Sequence, residues 1–215
     1  MPVKPDVYQE VLATLPASVT LVAVSKTKPV SDIQALYDLG QRDFGENYVQ
    51  ELLEKQPQLP EDIRWHFIGH LQSNKVKYIA PFVYMIQGVD SQSLLKEINK
   101  KAAKAGRSIG CLLQVHIARE ETKFGFDADE LKEVLHQYTN DGLTHVRLRG
   151  LMGMASNTND RILVREEFAG LKRLFDKYSH QEWDTLSMGM SIDYPIAVEE
   201  GSTMVRIGSL LFGNR

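Results

Sequence analysis

The chain has 215 residues, 43% hydrophobic and 25% charged, with 25 Lys and Arg against 28 Asp and Glu for a net charge of -3. This is the profile of an ordinary globular protein; it excludes a disordered, collagen-like or coiled-coil chain and gives no expectation of nucleic acid as a partner. The one cysteine, Cys111, leaves no disulfide framework and no cysteine-rich zinc site, which fits a reducing compartment.

From the N-terminus, MPVKPDVYQEVLATL is interrupted by Asp6 and Glu10, so it is not the apolar stretch of a signal peptide, and 6 to 15 reads as a helix. A first strand, LVAVS (21 to 25), is followed by a helix over 31 to 40. Then come DFGEN (43 to 47) with a helix over 48 to 55, WHFIG (65 to 69) with 72 to 80, and MIQGV (85 to 89) with 92 to 105. CLLQVHI (111 to 117) precedes a helix over 128 to 140, RLRGLMGM (147 to 154) one over 161 to 179, and TLSMG (185 to 189) one over 193 to 200. The last strand is MVRIG (204 to 208). Within 92 to 105, Leu94, Leu95, Ile98, Ala102 and Ala105 share one helical face, and Gly106 supplies the stop. No window approaches the roughly 18 apolar residues of a membrane span, so a soluble, cytoplasmic protein is expected.

Eight strands alternating with helices imply right-handed parallel crossovers closing into a (β/α)8 TIM-type barrel, with residues 1 to 215 as a single domain. The rival, an open doubly wound sheet, lacks its G-x-G-x-x-G signature after LVAVS. In a barrel, functional residues sit at the C-terminal ends of strands. Lys26 follows the first strand, where burial would free its amine as a nucleophile toward an aldehyde; the alternative is a surface lysine. Asn47 ends the second strand, either as a polar contact or as the N-cap of the helix beginning at Tyr48. His66 lies in the third strand as a ligand contact or a satisfied core residue. His66 and His70 complete no metal motif, so no metal is expected.

Barrel enzymes often hold a phosphate in the loops after strands seven and eight, here Ser187-Met188-Gly189 and Gly208-Ser209. Their glycines and serines suit an anion, or make tight turns. Arg206 faces inward by alternation, to pair with a carboxylate or to donate to a heterocycle nitrogen. Ser187 with a histidine would suggest a hydrolase, but SMGMS lacks the G-x-S-x-G elbow.

Several segments in fixed order carry a family likeness: LVAVSKTKP, GQRDFGENYVQE, WHFIGHLQSNK, ETKFGF, RGLMGM and DTLSMGMSIDYPIAVEEGSTMVRIGSLLFG. With them the whole chain resembles the pyridoxal phosphate homeostasis proteins, relatives of the alanine racemase N-terminal barrel. The resemblance implies pyridoxal 5'-phosphate at the strand C-termini, with Lys26 forming the internal aldimine and Asn47 and His66 lining the ring and its approach. It also implies Met154 near the ring, Ser187, Gly189, Gly208 and Ser209 on the phosphate, and Arg206 at the pyridine nitrogen. An arginine there keeps the nitrogen unprotonated and weakens the electron sink. The chain ends at Arg215, which leaves no expectation of the β domain that follows the barrel in alanine racemase.

The expected function is reversible holding of pyridoxal phosphate in vitamin B6 homeostasis by a non-catalytic monomer that buffers it or passes it to apo-enzymes. A weak amino-acid racemase is the alternative, and a barrel enzyme acting on a sugar or indole phosphate a third reading. Ile192 departs from the small or polar residue expected of the family and puts the local shape of its loop in question.

Overall fold

The computed structural model describes residues 3–120, 124–179 and 183–213. Its eight strands are β1 (Thr20–Val24), β2 (Asp43–Glu46), β3 (Arg64–Phe67), β4 (Met85–Val89), β5 (Ile109–Val115), β6 (Val146–Gly153), β7 (Thr185–Met190) and β8 (Met204–Ile207). All pair in parallel in chain order, and β8 returns to β1, with Val22 opposite Arg206, to close the barrel. The helices are α1 (Pro5–Thr14), α2 (Val30–Asp38), α3 (Val49–Lys55), α4 (Val76–Ile79), α5 (Gln92–Lys104), α6 (Ala128–Asp141), α7 (Arg161–Tyr178), α8 (Tyr194–Glu199) and α9 (Ser209–Phe212). The expected (β/α)8 order is therefore observed. Among the described residues no helix is long and apolar enough to cross a membrane.

Local chemistry explains the helix starts. Ser91 caps α5 by accepting from Leu94 N, Asp160 caps α7, and Asp127 forms a reciprocal capping box with Glu130 at the start of α6. Packing then holds the helices in place. Leu94, Leu95 and Ile98 of α5 are buried, each contributing roughly 1.5–3 kcal/mol by removal from water, where a 13-residue helix alone would be marginal. One expected helix is weaker than its sequence suggested. Residues 72 to 80 form a 3-10 turn over Ser73–Lys75 followed by the four-residue α4, while α9 was not anticipated.

Strand alternation separates two cores. Leu21, Ala23, Phe44, Trp65, Phe67, Leu186, Met188, Val205 and Ile207 belong to the large apolar layer between barrel and helices. Inside the barrel the apolar cluster is small: Val22, Met85, Leu112, Met152 and Met204. The rest of the inward face includes His66, Gln87, Ser187 and Arg206, all buried. Branched aliphatics usually fill such an interior. A buried polar line in their place demands partners for every group.

Candidate functional site

Lys26 lies two residues beyond β1, on a turn fixed from outside the barrel. Ser25 N still donates to Gly45 O at 3.0 Å, so the ladder continues and alternation from Val22 places Lys26 on the inner side. Behind the turn sits Lys55 of α3, whose ammonium donates to Ser25 O at 2.9 Å and to Glu46 Oε1 and Glu51 Oε2 at 2.8 Å each. Ser25 Oγ donates to the same Glu46 oxygen at 2.7 Å, and Thr27 N donates to Glu51 Oε2 at 2.7 Å. Thr27 has φ 62°, a left-handed conformation that a β-branched residue keeps only where its surroundings impose it. The bonds to Ser25 and Thr27 impose it here, and they locate the residue between. Burial pushes the Glu46 carboxyl above its ordinary value against the pull of Lys55. For Glu51 burial pushes the same way, but the hydrogen bonds from Lys55 and Thr27 outweigh it, and that carboxyl lies below the ordinary value.

Arg206 enters from β8, beside β1. The residue is 4% exposed; its Nη1 donates to Ser187 Oγ, and Nη2 to Gly153 O at 3.0 Å. No carboxylate pairs with it among the described residues, which removes the structural ion pair from the two readings of this arginine. Burial lowers its pKa to about 10, opposed by the charge of Asp193, and the side chain stays cationic at neutral pH.

Asn47 is not a cap: α3 is capped at Tyr48 with no side-chain bond, and Asn47 Oδ1 is buried without a partner among the described residues. An orphan carbonyl of this kind costs about 1–3 kcal/mol unless a donor reaches it. Met154 follows β6 directly and packs, half-buried, on the interior cluster. The loops after β7 and β8 meet where Gly208 N donates to Ser191 Oγ at 3.3 Å, with Ser209 exposed beside them. A Cβ on Gly208 would stand 3.1 Å from Val24 O, so glycine permits this close approach to the β1 end.

Three expected site residues lie within strands. The Ser187 hydroxyl is fully buried, donating to Gln87 Oε1 at 2.7 Å and accepting from Arg206, so it faces the barrel interior and not a phosphate loop. At Gly189, φ is +95° and an added Cβ would lie 2.6 Å from Ala197 Cβ; glycine is needed there to let α8 pack on β7. The strand continues to Met190, and the serine at the loop is Ser191, the last residue of the SMGMS motif. His66 does not reach the barrel mouth: Nε2 lies 2.9 Å from Asp43 Oδ1, Nδ1 3.0 Å from Gln87 Nε2, and the ring is 5.4 Å from that of Tyr84, just before β4.

Asp43 and Gln87 were also missed. Their signal was a polar side chain at an inward position of an apolar strand, as in MIQGV. Ile192 is 85% exposed at the apex of a turn that Met190 N closes onto Asp193 Oδ1 at 2.6 Å, so the unusual residue points to solvent and leaves that turn intact.

The alanine racemase N-terminal domain family matches residues 8–215. Proteins called pyridoxal phosphate homeostasis protein share 40% identity over 216 residues in Synechocystis sp. PCC 6803, covering 98% of both chains, and 39% over 211 residues in Escherichia coli K12, covering 93% of this chain and 87% of that one. PipY of Synechococcus elongatus PCC7942, solved with PLP bound, superposes with a TM-score of 0.89 at 37% identity, covering 97% of this chain and 99% of that one. An alanine racemase from Clostridium difficile 630 gives 0.80 at 12% identity, covering 98% of this chain and 56% of that one, a likeness of fold. Fold and site thus define a barrel of the alanine racemase N-terminal type. Within it, the chain belongs to the pyridoxal phosphate homeostasis protein family.

Proposed function

We propose that this protein holds pyridoxal 5'-phosphate reversibly through Lys26 and buffers or delivers it in vitamin B6 homeostasis. The observation that carries the reading is Arg206: a buried guanidinium with no carboxylate among the described residues, on the strand beside the one that leads to Lys26. When bound, the cofactor supplies an aldehyde that condenses reversibly with a primary amine. Lys26 provides that amine from a turn whose backbone is fixed on both sides. Arg206 donates toward the ring nitrogen, Asn47 Oδ1 offers an acceptor, and Met154 packs near the ring. Ser191, Gly208 and Ser209, where the loops after β7 and β8 meet, would hold the phosphate. Support also comes from the PLP-bound relative PipY.

The role is a carrier's. Racemisation needs an acid or base on each face of the substrate carbon. Lys26 can serve one face, but His66 has both ring nitrogens engaged inside the barrel. An arginine at the ring nitrogen also withholds the proton that would make a strong electron sink. The protein works as a cytoplasmic monomer, with apo forms of pyridoxal phosphate enzymes as recipients.

The test is an absorption titration with pyridoxal phosphate before and after borohydride, with Lys26→Ala alongside. A visible band trapped by reduction in the wild type and missing in the variant is expected. Its absence from both proteins returns the phosphate-ligand enzyme to first place. Sustained turnover of D- or L-amino acids would overturn the carrier reading in favour of a racemase.

A further inference from the structure

The polar groups inside the barrel form one continuous line, and its direction can be derived from its ends. Arginine only donates, so Ser187 Oγ accepts from Arg206 Nη1. The serine proton must then go to an acceptor, and the contact at 2.7 Å is Gln87 Oε1. That fixes the amide: its nitrogen faces His66 Nδ1 at 3.0 Å and, on the same side, the weak acceptor Met204 Sδ at 3.2 Å. An amide nitrogen only donates, so Nδ1 carries no proton. The neutral ring is protonated at Nε2 and donates to Asp43 Oδ1 at 2.9 Å. Asp43 ends the line, held by Arg64 through Nε at 2.7 Å and through Nη2. It lines a polar pocket of about 270 Å³ at the N-terminal end of the barrel.

Each link depends on the next. If the ring proton moved to Nδ1, Gln87 would have to turn its oxygen toward His66 and its nitrogen toward Ser187. Ser187 Oγ, with two lone pairs, would then accept from both the amide and Arg206, and its own proton would lose the acceptor it has in Gln87 Oε1. Burial holds His66 against protonation, opposed by Asp43, which agrees with the single-proton arrangement. With the hydroxyl no longer oriented by Gln87 Oε1, Gly153 O is left as the acceptor of fixed direction for the guanidinium.

We propose that Gln87 and His66 are positioning residues for Arg206: through Ser187 they fix the plane of its guanidinium and thereby the hydrogen bond it offers to the ring nitrogen of the cofactor. This rests on the function proposed above, in which Arg206 faces that nitrogen. Both side chains are fully buried inside the barrel.

Two measurements test it. In the wild-type protein without cofactor, a long-range proton–nitrogen NMR spectrum of His66 is expected to show a protonated Nε2 and a bare Nδ1; a protonated Nδ1 would overturn the chain whatever the cofactor does. In Gln87→Leu, pyridoxal phosphate is expected to remain trappable on Lys26 by borohydride, while its dissociation constant rises roughly threefold, part of the worth of one hydrogen bond, and its absorption maximum shifts. Leu112→Val, an interior substitution outside the chain, controls for general loosening and leaves that maximum unchanged. A wild-type maximum and affinity in Gln87→Leu would sink the positioning role. Failure of trapping in the wild type would instead remove the function on which it rests, and should Gln87→Leu not fold, the His66 spectrum decides alone.

Discussion

Two buried cations stand on opposite sides of the barrel wall, and they are held in different ways. Lys55, on the helix side, has two carboxylates and a carbonyl within 2.9 Å. Arg206, on the inner side, has a hydroxyl and a carbonyl, and no carboxylate among the described residues. A buried charge is costly unless paired, so the first is compensated within the protein and the second is only hydrogen-bonded. The contrast assigns their work. Lys55 locks the turn that carries Lys26; Arg206, on the proposed function, keeps a positive field and further N–H donors for the cofactor.

The largest expected effect comes from breaking the compensated side. Lys55→Ala leaves Glu46 buried without its cation and should cost about 3–5 kcal/mol, read as a lower urea midpoint at unchanged slope. Glu46 already has a raised pKa in the folded state, and the substitution raises it further. Stability from such a group is present below its unfolded value and lost as pH rises through the folded one, so the deficit should shrink in mildly acid buffer. A deficit that does not change with pH would mean that Glu46 is not the group left uncompensated.

Removing the uncompensated cation should do something else. Arg206→Met is expected to change the stability of the cofactor-free protein by about 1 kcal/mol or less, because a buried isostere escapes the cost of desolvation. Its affinity for pyridoxal phosphate should fall roughly tenfold, about 1.4 kcal/mol by calorimetry. Unfolding on the scale of Lys55→Ala would erase the distinction between the two cations.

The smallest effect lies at the far end of the interior chain. Burial lowers the His66 pKa from its ordinary 6.5, against the pull of Asp43. Burial also works to raise that of Asp43, but hydrogen bonds from Arg64 and His66 outweigh it and leave it below its ordinary 3.8. Both shifts make the unfolded chain bind more protons than the folded one, so stability is present above the unfolded values and lost as pH falls. The His66 share begins to be lost as pH falls below 6.5, with a slope of at most about 1.4 kcal/mol per pH unit for one proton. In His66→Gln that part of the slope should vanish, followed by denaturation midpoints across the window; an unchanged slope would show that His66 binds protons equally in the folded and unfolded chain.

Much of this could be read before any coordinates. Alternating apolar strands and amphipathic helices dictate a parallel barrel, and inward positions such as Lys26 and Arg206 follow from the two-residue period. Errors fell where the period alone is silent. SMGMS does not show where β7 ends, so the loop expected at Ser187 and Gly189 begins instead at Ser191, and both residues lie in the strand. The third strand marked His66 as inward without its depth, which Asp43 and Gln87 reveal.

The sequence by itself determined the alternation, the fold class, the family and the strand ends on which chemistry could occur, because these depend on spacing along the chain. Tertiary structure decided which polar groups meet: Lys55 with Glu46 and Ser25, Ser187 with Gln87 and Arg206. Gln87 and Ser187 are 100 residues apart in sequence yet share one hydrogen bond. Only closure of the barrel removes water from both, and desolvation is what turns a distant pair of polar residues into an obligatory contact.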